Sequence, residues 1–269
     1  MKELKRSLLA PLCKVIALSG LLVVSSMAAA QRPVDPRVEM KSYHFEDTNE
    51  ELPYAVYVSS KVSADTPSPV IIALHGLGGQ PTSLVRASSI DLAEEGGYIL
   101  VGPMGYNPRG WYGSRVLDVD REGNPIEPAN LAEFSEKDVM NVLEIIRNDF
   151  NVDENRTYLM GHSMGGAGTF YLGSKYGSDW AAIAAIAPAA FRMDKTMLES
   201  IKNIVPILVT QGGADTAVPV ENTRDWIDYM NANEINHAYY EISEAGHGNI
   251  IDLGMSTIFS FFEANTKSP

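Results

Sequence analysis

Gly161-His162-Ser163-Met164-Gly165 sets a serine in a G-x-S-x-G frame. A serine hydroxyl is a poor nucleophile unless it is held clear of the chain and given a base. A sharp turn from strand into helix holds it clear but strains the backbone. Small residues must then flank it, since a side chain at Gly161 or Gly165 would meet the neighbouring strand or helix. The frame directly follows the apolar run Thr157–Met160 and precedes a segment with helical spacing, the context such a turn needs. Ser163 is therefore the candidate nucleophile of an acyl-transfer reaction. The plainer alternative is a glycine-rich turn that packs a helix on a sheet.

A base must come from one of five histidines. His75 and His162 lie inside other motifs, His44 belongs to the first strand, and His237 leads into the last one. His247, in Ala245-Gly246-His247-Gly248, follows the last predicted strand, Tyr239–Ile242, on a glycine-flanked loop. That loop falls at the carboxyl edge of the predicted sheet, the edge that also holds Ser163. An imidazole with an ordinary pKa of about 6.5 accepts and returns a proton at neutral pH. A carboxylate must then hold the ring in one tautomer and stabilise its charged form. Asp215, in the run Gly212-Gly213-Ala214-Asp215-Thr216-Ala217-Val218-Pro219 after the strand Val205–Thr210, fills that place. Asp194, after the preceding strand, is the runner-up, while Asp225, Asp228 and Asp252 fall within predicted helices and read as solvated.

Acyl transfer builds negative charge on the carbonyl oxygen, and fixed N–H donors aimed at it supply much of the rate. The residue after the nucleophile gives one donor, so Met164 N–H is the first candidate. The second should come from the loop after the strand Val70–Leu74, which reads His75-Gly76-Leu77-Gly78-Gly79. Leu77 N–H is assigned there, with Gly76 and Gly78 as alternatives. Glycines in this loop let a substrate come close to the backbone.

The elements that must position these groups are legible in the hydrophobic pattern. Tyr43–Glu46 and Tyr54–Ser59 alternate apolar and polar residues, as half-buried antiparallel edge strands do. Val70–Leu74, Tyr98–Val101, Thr157–Met160, Ala182–Ala187 and Val205–Thr210 are nearly continuous apolar runs, the signature of strands covered on both faces. Helical spacing recurs between them. Ser135 with Asp138 reads as a helix start, followed by Val139, Val142, Leu143, Ile146 and Phe150. Similar stretches run from Ala167 to Tyr176, Glu221 to Ala232 and Ile250 to Phe262. Alternation of this kind predicts an α/β fold with a mostly parallel central sheet of about eight strands and helices on both faces. The stretch from Pro188 to Val205 leaves no room for a large lid domain.

Residues from about 70 to 250 resemble an α/β-hydrolase. His75-Gly76-Leu77-Gly78, Gly161-His162-Ser163-Met164-Gly165 and the Gly212…Asp215…Val218-Pro219 run are similar to those of the small carboxylesterase/phospholipase branch and the feruloyl esterase–polyester depolymerase-like branch. The chain order Ser163, Asp215, His247 is the order of that fold. The resemblance implies ester hydrolysis by a Ser–His–Asp triad without a cofactor or metal. Peptidases also occur among related exported members, so a serine peptidase is the first alternative. A non-catalytic binding protein on the same scaffold is the second, since fold alone does not imply activity.

The start of the chain reads as an export signal. Lys2, Lys5 and Arg6 precede the apolar run Val15–Val24, and Ala28-Ala29-Ala30 gives a small-residue exit before Gln31. The run is about half the roughly 20 residues that a membrane span requires. Cys13 precedes the run rather than following it, which argues against a lipid-anchored cysteine. Cleavage after Ala30 predicts a secreted or periplasmic protein with no membrane attachment, its single catalytic domain covering residues 31–269. It would carry no cysteine, so its stability would rest on the core alone. It would hold 17 Lys+Arg against 33 Asp+Glu, a net charge of −16. Such a surface argues against nucleic-acid binding, which needs clustered cations. The partner expected is a small-molecule or polymer-borne ester.

The long segment from Gly105 to Lys137, rich in Gly, Pro, Asn and Asp, contains Trp111 and Tyr112 near the edge that holds Ser163. Loops longer than about 12–15 residues in a compact domain commonly carry function. The two rings either wall a substrate pocket, together with His162, or anchor the loop to the core. Asp118-Val119-Asp120-Arg121-Glu122-Gly123 has the alternating oxygens of a calcium loop. Ala129 stands where the bidentate glutamate would be, however, so a polar hairpin turn through Gly123-Asn124 is the better reading. Asn155-Arg156-Thr157 fits a glycosylation acceptor by pattern only.

Overall fold

The computed structural model describes residues 34–119 and 123–267. In chain order the elements are β1 (Glu39–Phe45), β2 (Glu50–Val58), β3 (Ser68–Leu74), α1 (Ala87–Gly96), β4 (Ile99–Pro103), α2 (Leu131–Asp149), β5 (Val152–His162), α3 (Met164–Lys175), β6 (Ala182–Ile186), β7 (Ile207–Gly212), α4 (Val220–Ala232), β8 (His237–Ile242) and α5 (Ile250–Ala264). The export signal read from the sequence lies outside the described residues.

One eight-stranded sheet runs in the order β1-β2-β4-β3-β5-β6-β7-β8. β1 pairs with β2, and β2 with β4, antiparallel; every other neighbouring pair is parallel. The division follows the residue pattern. β3, β4 and β6 are buried at every position, whereas β1 alternates exposed and partly covered residues along most of its length. A strand covered on both faces must be apolar throughout, and an edge strand need not be.

Successive side chains of β3 point to opposite layers. Val70, Ile72 and Leu74 join Val139, Val142 and Leu143 of α2, Phe170 of α3 and Trp226 of α4. Ile71 and Ala73 join Ile90 and Ala93 of α1 and Ile258 and Phe262 of α5. Three helices therefore cover one face and two the other. Phe170 stacks on Trp226 with centroids 4.9 Å apart, which ties α3 to α4. Between β6 and β7 the chain makes only a 3-10 turn over Lys195–Ile201, and Asp194 caps it by accepting from Thr196 N–H at 3.0 Å. The runner-up acid is thus spent on a turn.

Among the helices, two depart most from the sequence reading. α1 was not foreseen. α2 begins at Leu131, one turn before the expected start at Ser135, because the Ser135 hydroxyl caps nothing and accepts Tyr112 N–H at 2.9 Å instead. An antiparallel bridge joins Val119 to Pro125 across Gly123, whose φ is +87°, and this fits the hairpin reading of that segment. Among the described residues no helix is long and apolar enough to cross a membrane.

Candidate active site

β5 runs into α3 through a single residue, Ser163, whose φ of 57° and ψ of −114° lie outside the helix and strand regions. A non-glycine residue at positive φ is strained and persists only where its surroundings over-determine it. Here they do. Ser163 N–H donates to Ile186 O at 2.9 Å, and Ser163 O accepts Ala189 N–H at 2.9 Å and Ala167 N–H at 3.1 Å. A Cβ on Gly161 would stand 2.2 Å from Gly165 O, and one on Gly165 would stand 2.2 Å from Leu74 O. Both glycines of the frame are therefore required for β5, β3 and α3 to meet.

His247 lies on the loop between β8 and α5. Its Nε2 is 2.9 Å from Ser163 Oγ, and its Nδ1 is 2.7 Å from Asp215 Oδ2. A carboxylate facing Nδ1 keeps the proton there and turns the Nε2 lone pair to the hydroxyl. The Asp215 side chain is fully buried, while that of His247 is 25% exposed. Asp215 Oδ1 accepts Ala217 N–H and Val218 N–H at 2.8 Å each, and Oδ2 accepts Gln211 Nε2 at 3.2 Å. The loops that carry acid and base are joined by Gly213 N–H to Ile242 O and Ala214 N–H to Ala245 O, both at 2.9 Å. Ser163, His247 and Asp215, which are 84 and 32 residues apart in sequence along the two contacts, thus form one continuous hydrogen-bonded line.

His162 donates from Nε2 to His247 O at 2.8 Å, and the two rings lie 4.5 Å apart. Burial, followed by the neighbouring His247, pushes its pKa down to about 4, so it stays neutral at ordinary pH. Its position is against the back of His247. His162 thus supports the loop that carries His247, a contact distinct from the pocket wall expected from the sequence.

Met164 is the first residue of α3, where an N–H has no intrahelical acceptor. In the loop after β3, Gly78 N–H donates to Pro108 O at 2.8 Å and Gly79 N–H to Gly76 O at 2.9 Å. This removes Gly78 from the candidate donors and leaves Leu77 and Gly76. A Cβ on Gly76 would stand 3.4 Å from Ser163 Cβ, so this loop passes directly beside the serine. Leu77 itself is 48% exposed.

Of the two readings of the long loop, pocket wall or anchor, Tyr112 favours the anchor. Its side chain is fully buried and Trp111 is nearly so. The Tyr112 hydroxyl donates to His75 O at 3.2 Å, and its ring meets the His75 ring edge-on with centroids 5.6 Å apart. Trp111 is capped by the Arg115 guanidinium, 5.1 Å from its ring centroid. The aromatic pair anchors the loop, and through His75 and Pro108 the loop supports the segment that carries Leu77. Asp138, buried within α2, holds the base of the same loop by accepting Gly105 N–H at 2.6 Å, Tyr106 N–H at 3.0 Å and Tyr43 O–H at 2.7 Å. Sequence reasoning singled out neither Asp138 nor Gln211 for these roles.

A cleft of about 510 Å3 lies elsewhere, lined by Val116, Glu136, Met140, Tyr171, Lys175 and Tyr176 among others, and it includes none of the residues around Ser163. Among the described residues no group of three or more His, Cys, Asp or Glu is placed to hold a metal ion.

Comparison with known proteins matches residues 54–257 to the dienelactone hydrolase family. Solved structures with the same fold include an S-formylglutathione hydrolase from Agrobacterium tumefaciens (21% identity, 84% of this chain and 94% of that one, TM-score 0.68). A ferulic acid esterase from the anaerobic fungus Anaeromyces mucronatus is similar at 18% identity over 84% of this chain and 91% of that one, with a TM-score of 0.66. A thermostable esterase matches at 23% identity over 87% of this chain, with a TM-score of 0.64. The present chain spans only 64% of that esterase. No curated protein sequence matches the chain.

Proposed function

The chain belongs to the dienelactone hydrolase family, and from that premise we propose that it is an exported serine carboxylic-ester hydrolase acting through Ser163, His247 and Asp215. The observation that carries the proposal is the line from Ser163 Oγ through His247 to the buried carboxylate of Asp215, at 2.9 and 2.7 Å. The family is one of hydrolases, and several solved structures of the same fold are named as esterases, which supports this reading.

His247 Nε2 takes the hydroxyl proton as Ser163 Oγ bonds to the ester carbonyl carbon. The carbonyl π pair moves to oxygen, and Met164 N–H and Leu77 N–H receive the resulting oxyanion. The intermediate collapses, the bond to the alkoxy oxygen breaks, and the imidazolium gives its proton to the leaving alcohol. Water then repeats the sequence on the acyl-enzyme, releasing the acid and restoring Ser163. Asp215 keeps His247 in the Nδ1–H tautomer and balances its charge while it holds the second proton. The short connection between β6 and β7 supports an uncovered site that admits bulky or polymer-borne esters as well as small ones. The same proposal includes removal of residues 1–30 after Ala30, a single catalytic domain over residues 31–269, and a secreted or periplasmic protein.

The test is turnover of p-nitrophenyl esters from two to sixteen acyl carbons, with Ser163→Ala beside the parent. Turnover of short chains that is lost in Ser163→Ala upholds the assignment, and the length profile measures the acyl site. A folded parent silent on every ester overturns it and turns attention to peptide substrates.

A further inference from the structure

Gln211 is the last side chain of β7 before Gly212 and is wholly buried. A buried primary amide carries two donors and one acceptor group that all need partners. Nε2 lies 3.2 Å from Asp215 Oδ2, 3.0 Å from Val218 O and 3.2 Å from Gly212 O. Oε1 accepts the hydroxyl proton of Thr223, on α4, at 2.8 Å. Amide orientation is normally ambiguous, but here the neighbours decide it. The three oxygens around the nitrogen accept only, so a flipped amide would set oxygen against all three. Thr223, itself buried, satisfies the remaining oxygen.

We infer that Gln211, completed by Thr223, is a positioning residue of the Ser163–His247–Asp215 line; the inference rests on the function proposed above. The Asp215 carboxylate plane is already fixed by two backbone donors on Oδ1. The amide adds its proton to Oδ2, the oxygen that faces His247. A donor there draws negative charge from the oxygen and moderates its pull on the imidazolium, while keeping that oxygen aimed at Nδ1. Without the donor, the buried oxygen would have the imidazole as its only partner and would hold the second proton more tightly. His247 would then be protonated, and so inactive as a base, over a wider range of acid pH. Among the described residues, the other ionisable groups facing His247 are Ser163 and the ring of His162. Arg86 acts on His162 from further off and is ion-paired with Asp252 at 2.7 Å. None of these touches Oδ2.

The test compares Gln211→Met, Thr223→Val and Thr223→Ser with the parent, reading the pH profile of kcat/KM and the low-field proton resonance of the His247–Asp215 hydrogen bond. Gln211→Met should move the acid limb up by about half to one pH unit and shift the resonance, with thermal stability measured alongside. Thr223→Val should move both in the same direction by less, and Thr223→Ser should restore the parental profile. If Gln211→Met does not fold, the contrast between the two Thr223 variants decides. An unmoved limb and resonance in folded Gln211→Met, or in Thr223→Val when Gln211→Met cannot be made, overturns the inference while leaving the esterase reading standing. A parent without ester turnover, but with a resonance that shifts in Gln211→Met, overturns the function and keeps the inference.

Discussion

Gly165→Ala tests the geometry of the strand–turn–helix junction in a single methyl group. The new Cβ would lie 2.2 Å from Leu74 O, 2.7 Å from Leu74 C and 2.8 Å from His75 O, all backbone atoms. A side-chain carbon essentially never approaches another atom within 3.0 Å, so β3 and α3 must part by about 0.8 Å at least. β3 is buried along its whole length between two helical layers, so the amino end of α3 is what yields. That end carries Ser163 and Met164. A displacement of this size stretches the 2.9 Å contact between Ser163 Oγ and His247 Nε2 beyond hydrogen-bonding range. Overpacking of this kind costs about 1–3 kcal/mol, a fall in Tm of roughly 3–10 °C. Misplacement of reacting groups by about 1 Å costs on the order of a hundredfold in rate. Gly248→Ala is the control, because a Cβ there meets nothing within 4 Å although it adjoins His247. The assay is kcat/KM on a short-chain p-nitrophenyl ester with thermal melts of all three proteins. Folded Gly165→Ala with kcat/KM within threefold of the parent would refute the reasoning.

Tyr112→Phe deletes the donor to His75 O and should cost about 1 kcal/mol in urea unfolding and lower kcat several-fold with KM little changed; a rise in KM alone would mean that the hydroxyl meets substrate instead. Asp138→Ala strips three buried or partly buried donors of their acceptor and should cost about 2–4 kcal/mol, whereas Asp138→Asn keeps an oxygen for Gly105 and Tyr106 and should cost distinctly less; equal losses in chemical denaturation would count against this role. His162 binds a proton at about pH 4 in the folded protein, below its unfolded pKa of about 6.5, so the unfolded state takes up the proton first as pH falls. Its contribution is present above pH 6.5 and is lost on descent towards pH 4, up to about 3 kcal/mol. Unfolding of the parent and His162→Asn at about pH 7 and pH 4 should show a shallower loss in the variant, and parallel losses would show that another group is responsible.

The sheet and the line of Ser163, Asp215 and His247 were legible because each leaves a local mark. Continuous apolar runs identified the covered strands, and glycines flank all three candidate residues or their loops. The strand–turn–helix context then placed them on one edge before any contact was known. Other features left weaker marks. α1 offers only Ile90 and Leu92, with Ala87 and Ala93, among serines and acidic residues, too narrow an apolar stripe to stand out. Ser135 and Asp138 imitate a helix cap, yet both are turned inward, one to Tyr112 N–H and the other to the loop after β4.

Tyr112 shows why the long loop remained ambiguous. An aromatic pair between two glycines reads alike whether it faces substrate or core. The difference lies in Gly105 and Gly168, where an added Cβ would come within 2.4 and 2.8 Å of the Tyr112 side chain. Those glycines clear the space into which the ring drops, and they are 7 residues before and 56 after it. Gln211 is a neutral amide in an apolar strand, and nothing in its neighbourhood in sequence signals that its partners are a carboxylate and a threonine 12 residues onward. Such supports are set by tertiary contact rather than by spacing.

The most direct test of the central claim is covalent labelling with a fluorophosphonate probe, followed by intact mass and peptide mapping. A line in which His247 activates Ser163 predicts a single adduct on the peptide containing Ser163, strongly slowed in Asp215→Asn and absent from folded Ser163→Ala. An unlabelled parent, or an adduct that persists in Ser163→Ala, would contradict it.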